Sequence, residues 1–113
     1  MKLSGEGVLL RVYIGETDKY DGKPLYKQIV LKAKEQQLAG ATVLRGMMGF
    51  GANSRVKTTS ILRLSDGLPL VVELVDLEDK ITAFLPILDE MMDDGLVTME
   101  KVKVVKYSHQ QKS

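Results

Sequence analysis

The chain has 113 residues, a length that fits one domain with one modest core. Its 16 basic and 15 acidic side chains leave a formal charge of +1, which argues against general nucleic-acid binding, where many phosphates must be neutralised. With no cysteine there is no disulfide, no zinc–thiolate site and no cysteine nucleophile, and no window approaches the ~18 apolar residues of a membrane span. The opening MKLSGEGVLLRVYIGE has too short an apolar run for a secretory signal, so a cytoplasmic location without membrane insertion is expected.

Val8, Leu10, Val12 and Ile14 alternate with Leu9, Arg11 and Tyr13, the period of a strand. Gly15 to Gly22 is a polar turn region. The spacing then predicts a helix, with Asp21 or Gly22 as its cap and Pro24 in its first turn. Its apolar face is Leu25, Ile29 and Ala33, flanked by Tyr26 and Val30, and Gly40 is its expected stop. Ala41 to Arg45 is a second strand running into a glycine-rich loop. Ser60 to Leu64 alternates and reads as a third strand or the return arm of a long hairpin. Asp66-Gly67 before Leu68-Pro69 signals a turn, and Leu70 to Val75 is apolar enough for a central strand.

Asp76 is the expected N-cap of a second helix, with Glu78 and Asp79 in its first turn. Ile81, Phe84, Leu85, Leu88 and Met92 form its apolar face, Pro86 should bend it, and Gly95 should end it. The last strand runs from Leu96 to about Lys106. Its apolar positions change parity between Val97 and Met99 and Val102 and Val104, which predicts a bulge near Glu100 and Lys101.

The order β-α-β-loop-β-α-β is the ferredoxin-like pattern, an α+β fold with a four-stranded antiparallel sheet and two helices on one face. Strand order 4-1-3-2 makes strands two and four the edges, and Leu9, Tyr13, Val71 and Val75 are expected on the face away from the helices, where the sister subunits of a trimer, or equally the partner in a dimer, would cover them. Residues 1–113 read as a single domain, with a disordered tail expected from about residue 108.

The chemistry concentrates between Arg45 and Thr59, in RGMMGFGANSRVKTT. Gly46, Gly49 and Gly51 let backbone N–H groups approach a ligand, and Arg45, Arg55 and Lys57 supply cations, followed by Arg63 with no acid before Asp66. Together these residues suit a phosphate or carboxylate. The G-x-x-G-x-G spacing is neither the dinucleotide fingerprint nor a P-loop, and a turn that redirects the strand is the alternative use. Phe50, between two glycines, either stacks on an adenine or packs against a neighbouring subunit. Met47 and Met48 suit subunit packing. Gly15, Glu16, Lys19, Tyr20 and Lys23 near the first helix start form either a second anion site or a plain capped turn. The acidic residues Asp89, Glu90, Asp93 and Asp94 read as a solvated surface. The one histidine, His109, lies in the tail, so no catalytic set or metal site assembles and no enzymatic activity is expected.

The chain resembles the DUF190 family, a branch of the PII-like signalling proteins. The resemblance is carried by RVYIGETDKYDGKPLY (Arg11 to Tyr26), GATVLRGMMGFG (Gly40 to Gly51), LPLVVELVDLEDKI (Leu68 to Ile81) and DDGLVTMEKVKVVKY (Asp93 to Tyr107). The RGxMGFG element, Arg45 to Gly51, is its most specific part. The resemblance implies a compact homotrimer that needs no cofactor. Such proteins bind small effectors, often adenine nucleotides (ATP, ADP or AMP), in clefts between subunits. Their central loop reports occupancy to a partner, often a membrane transporter or an enzyme, and DUF190 members are associated with fluoride-channel-type membrane proteins. No pattern here matches the 2-oxoglutarate site of true PII proteins. The second expectation is a ligand-free assembly partner of a membrane transporter or channel.

Overall fold

The computed structural model describes residues 2–51, 57–58 and 67–108. Strand β1 (Lys2–Gly15) lies beside β7 (Pro69–Asp76), antiparallel, with Val8 opposite Asp76 and Gly15 opposite Pro69. Both strands alternate, so Val8, Leu10, Val12, Ile14, Leu70, Val72 and Leu74 leave one face together. Helices α1 (Leu25–Glu35) and α2 (Glu78–Met91) cover that face with Leu25, Ile29, Ala33, Ile81, Phe84, Leu88 and Met91. Each of the larger side chains removed from water here contributes about 1.5–3 kcal/mol.

Strand β4 (Gly40–Arg45) flanks β7 and β8 (Leu96–Ser108) flanks β1, giving the sheet order β4-β7-β1-β8. This is the ferredoxin-like arrangement expected from the element order. Leu9, Tyr13, Val71 and Val75 lie half-buried on the face opposite the helices. On the same face Arg11 bridges Glu73 of β7 and Glu100 of β8. Glu100 first, and Glu73 with it, raise the Arg11 pKa above its ordinary value, so the guanidinium stays charged at any working pH.

The structure corrects several local expectations. Asp21-Gly22 does not cap α1. It is the turn between the short strands β2 (Lys19–Tyr20) and β3 (Lys23–Pro24), with φ of 53° and 75°. Positive φ at both central residues is what a tight hairpin demands, and Asp-Gly meets it. Pro24 therefore becomes the residue before the helix. Helix α1 stops at Gln36, not Gly40, because Gln37 takes a left-handed conformation with φ of 62°. The Leu38 N–H then donates to the Ala33 carbonyl and the Gln37 N–H to the Lys34 carbonyl, a Schellman closure with Gln in place of Gly. Gly40 instead opens β4.

Asp76 is not the N-cap of α2, a position that Leu77 occupies. Asp76 is still paired in β7, and its carboxylate is buried at 1% exposure. It accepts the Ala39 N–H at 2.8 Å and the Leu77 N–H at 2.6 Å, tying the entry of β4 to the exit of β7. Helix α2 continues through Pro86 and stops at Met91, before Gly95.

No bulge occurs at Glu100 and Lys101. Pairing of β1 with β8 runs without a shift from Tyr13–Leu96 to Gly5–Val104, and the irregularity lies between Leu3 and Gly5. The parity change is a change of face. Val97 and Met99 sit opposite Val12 and Leu10 on the helix side, whereas Val102 and Val104 sit opposite Gly7 and Gly5 on the other. A Cβ on Gly7 would lie 2.8 Å from Val104 Cγ2, so the valine occupies the space the glycine leaves. The alternating segment Ser60 to Leu64, Arg63 and the tail residues 109–113 lie outside the described residues.

Replacing Asp76 with alanine orphans two N–H groups at a junction of four elements. The expected outcome is a stability loss of about 3 kcal/mol in equilibrium urea unfolding. Loss below about 1 kcal/mol would show that water replaces the carboxylate there.

Candidate functional site

Strand β4 ends at Arg45, and the chain turns at once. The Gly46 N–H donates to the Pro69 carbonyl at 2.7 Å, which holds the start of the loop against the start of β7. The approach is close: a Cβ on Gly46 would sit 3.1 Å from Pro69 Cγ. Met48–Gly49 forms β5, paired with β6 at Lys57–Thr58, so Gly49 faces Lys57 across a short ladder. The first loop glycine thus serves backbone packing, and the two described ends of the loop pair antiparallel.

A cleft of about 300 Å³ opens where this loop leaves the sheet. Its walls come from four places in the sequence: Tyr13 to Gly15 with Asp18, Gly46 with Met48 to Gly51, Pro69 to Val71, and Asp94-Gly95. Tyr13, Met48, Phe50 and Pro69 make it mainly apolar, and the glycines present backbone to it. Phe50 is 67% exposed and Met48 66%, so these side chains are free to meet a ligand or another surface. Asp18 is held in the wall by its own turn. Its carboxylate accepts the Gly15 N–H at 2.9 Å, and its carbonyl accepts the Leu25 N–H at 2.9 Å. Gly95, with φ of 148°, passes under the floor, where a Cβ would meet the Tyr13 carbonyl at 3.2 Å.

Of the residues expected at the site, Gly46, Gly49, Phe50 and Gly51 line the cleft together. Arg45 does not line it. Its side chain is 61% exposed, and its guanidinium forms an ion pair with Glu16. Glu16 also accepts the Leu68 N–H at 3.1 Å, and its own N–H donates to the Leu68 carbonyl at 2.9 Å. The turn after β1 and the entry to β7 are therefore clamped, with Arg45 on the outside of the clamp. Lys57 lies in β6, opposite Gly49, and Arg55 is outside the described residues. Tyr13, Asp18, Pro69, Asp94 and Gly95 were not expected here. Their only trace in the sequence is that each lies where a strand begins or ends, and a ferredoxin-like topology brings those ends together.

A family model for DUF190, described as an uncharacterized ACR, matches residues 7–104. The chain belongs to the DUF190 family. A UPF0166 protein of Aquifex aeolicus is 39% identical over 97 residues, covering 86% of this chain and 91% of its own length. Another, from Methanocaldococcus jannaschii, is 37% identical over 99 residues, covering 87% and 91%. Among solved structures, this DUF190 chain is similar to CPII, a nitrogen regulatory PII-like protein from Thiomonas intermedia K12 bound to ADP, AMP and bicarbonate. The TM-score is 0.59 at 13% identity, over 88% of each chain. CutA1 of Oryza sativa is similar with a TM-score of 0.54 at 11% identity, over 96% of this chain and 85% of CutA1. These likenesses show a PII-like fold for the DUF190 domain. Among the described residues, no helix is long and apolar enough to cross a membrane.

An exposed pair such as Arg45–Glu16 adds little to stability. Arg45→Ala is therefore expected to unfold within about 1 kcal/mol of wild type in urea. A larger loss would mean that Arg45 holds the clamp itself.

Proposed function

We propose that this DUF190 protein is a PII-like regulatory protein of the cytoplasm that binds an adenine nucleotide in clefts completed between copies, as a homotrimer. The carrying observation is the cleft at the base of the central loop. Its walls combine an exposed aromatic ring, a thioether and a proline with glycine backbone. Such a surface suits the face of a purine. The phosphates would lie toward Arg45, which would leave Glu16 for a stronger anion, and the loop sequence offers Arg55 and Lys57 as further cations. The central loop would carry the occupied state to a membrane transporter, a channel or an enzyme. CPII, which shares the fold, is bound to ADP and AMP, which supports this choice of ligand.

A second reading has its own observation. Met47, Met48 and Phe50 are 76%, 66% and 67% exposed, a contact surface for a protein as much as for a base. In that reading the chain is an assembly partner of a membrane transporter or channel and takes no ligand.

Thermal unfolding with ATP, ADP, AMP and inorganic phosphate separates the two. A nucleotide at 100 times its dissociation constant is expected to add about 2.7 kcal/mol per site. Phe50→Ala should weaken binding on the order of tenfold through lost stacking. An unchanged transition with every nucleotide would favour the ligand-free reading.

A further inference from the structure

Strand β7 ends opposite Val8, but β1 and β8 run on together. Among the described residues, Lys2–Gly7 of β1 pairs with β8 alone, a ribbon extending ~20 Å past the sheet body at ~3.3 Å per residue. A two-stranded ribbon is marginal by itself in water. Lys101, in register with the buried Val8, and Lys103, in register with Glu6, lie on its helix-side face, and Val105 follows where the register shifts between Gly5 and Leu3. All three are exposed, and Val105, at 85%, is the most exposed large hydrophobic side chain among the described residues.

At the other end of β8 lies a groove of about 630 Å³ against α2. Leu85, Met92 and Val97 supply its apolar surface, and Asp89, Asp93 and Asp94 line it as exposed carboxylates. No basic side chain lines it among the described residues. Two lysines and a bare valine on the ribbon, with Glu6 as the one acid paired beside them, match three carboxylates around an apolar floor in the groove. Charge complementarity of this kind steers encounter and fixes register.

We propose that the β1–β8 ribbon of one copy seats in the α2–β8 groove of a second copy. Val105 enters the apolar floor, and Lys101 and Lys103 meet Asp89, Asp93 and Asp94. Ribbon and groove lie at opposite ends of one strand, so each copy gives one contact and receives another. Such a head-to-tail contact closes into a ring when the rotation allows it. The inference rests on the assembled state of the proposed function and names the surfaces that hold it.

The test uses the full chain in sedimentation velocity at low salt. The variants Lys101→Glu/Lys103→Glu and Asp89→Lys/Asp93→Lys are each expected to weaken assembly on the order of tenfold or more. All four substitutions in one chain should restore it. Because the chain has no cysteine, Leu85→Cys with Val105→Cys should give a disulfide between copies under mild oxidation, and neither single variant should give one joining the two sites. Wild-type mass in both charge-reversed variants, with no cross-link, overturns the ribbon-in-groove contact and leaves the inter-subunit cleft standing. A wild type that sediments as a monomer overturns both.

Discussion

Eight residues of β1, Val8 to Gly15, pair with β7 in unbroken register, and alternate side chains of both strands go beneath the helices. A slip of one residue would turn Leu10, Val12, Val72 and Leu74 toward the open face and expose the core. Locking this register therefore locks both ends of the strand pair. At one end Gly15 faces Pro69, and the turns after β1, β4 and α2 gather there as a cleft. At the other end Val8 faces Asp76, whose carboxylate anchors the entry of β4 and the exit of β7. Beyond it, among the described residues, only the ribbon of β1 and β8 continues.

The charges follow the same geometry. Arg11 lies on the open face among half-buried apolar side chains and is held by one carboxylate from each neighbouring strand. That arrangement lets a charged residue lie on a face that is otherwise apolar. Arg45 sits at the cleft end, more exposed, with a single carboxylate partner in Glu16. With the Arg45 side chain 61% exposed, this pair is screened more than the Arg11 pair, and under the proposed reading Arg45 is the cation that a bound anion would recruit. The cleft itself carries Asp18 and Asp94 and no basic lining among the described residues. Under the proposed reading it would take the base and sugar, and the charged end of the nucleotide would lie toward the loop.

Much of this was legible in the residues. The alternation from Val8 to Ile14, the helical spacing of Ile81, Phe84 and Leu88, and the open-face assignment of Tyr13 and Val71 all follow from period alone. What sequence pattern hid was choice among equals. Asp-Gly serves a cap or a hairpin, and the ladder between Lys19–Tyr20 and Lys23–Pro24 decides for the hairpin. Asp76 precedes a helix as a cap would, yet its carboxylate is claimed by Ala39, 37 residues away. The parity change in β8 resembles a bulge until Gly5 and Gly7 are seen opposite Val104 and Val102. At the site, Gly46 to Gly51 were visible as a glycine-rich run. The pairing of Arg45 with Glu16, and the walls given by Pro69, Asp94 and Gly95, depend on strand ends that only the topology joins.

The central claim is that the cleft at the loop base holds an adenine nucleotide. Five glycines border it, Gly15, Gly46, Gly49, Gly51 and Gly95, and glycine amides form a well-separated group in a nitrogen–proton correlation spectrum. Titration of the labelled protein with ADP tests the claim at the residues themselves. The account predicts saturable shifts at these glycines, with the ribbon glycines Gly5 and Gly7 unmoved. Unmoved cleft glycines at millimolar ADP, in a folded and assembled protein, would contradict it.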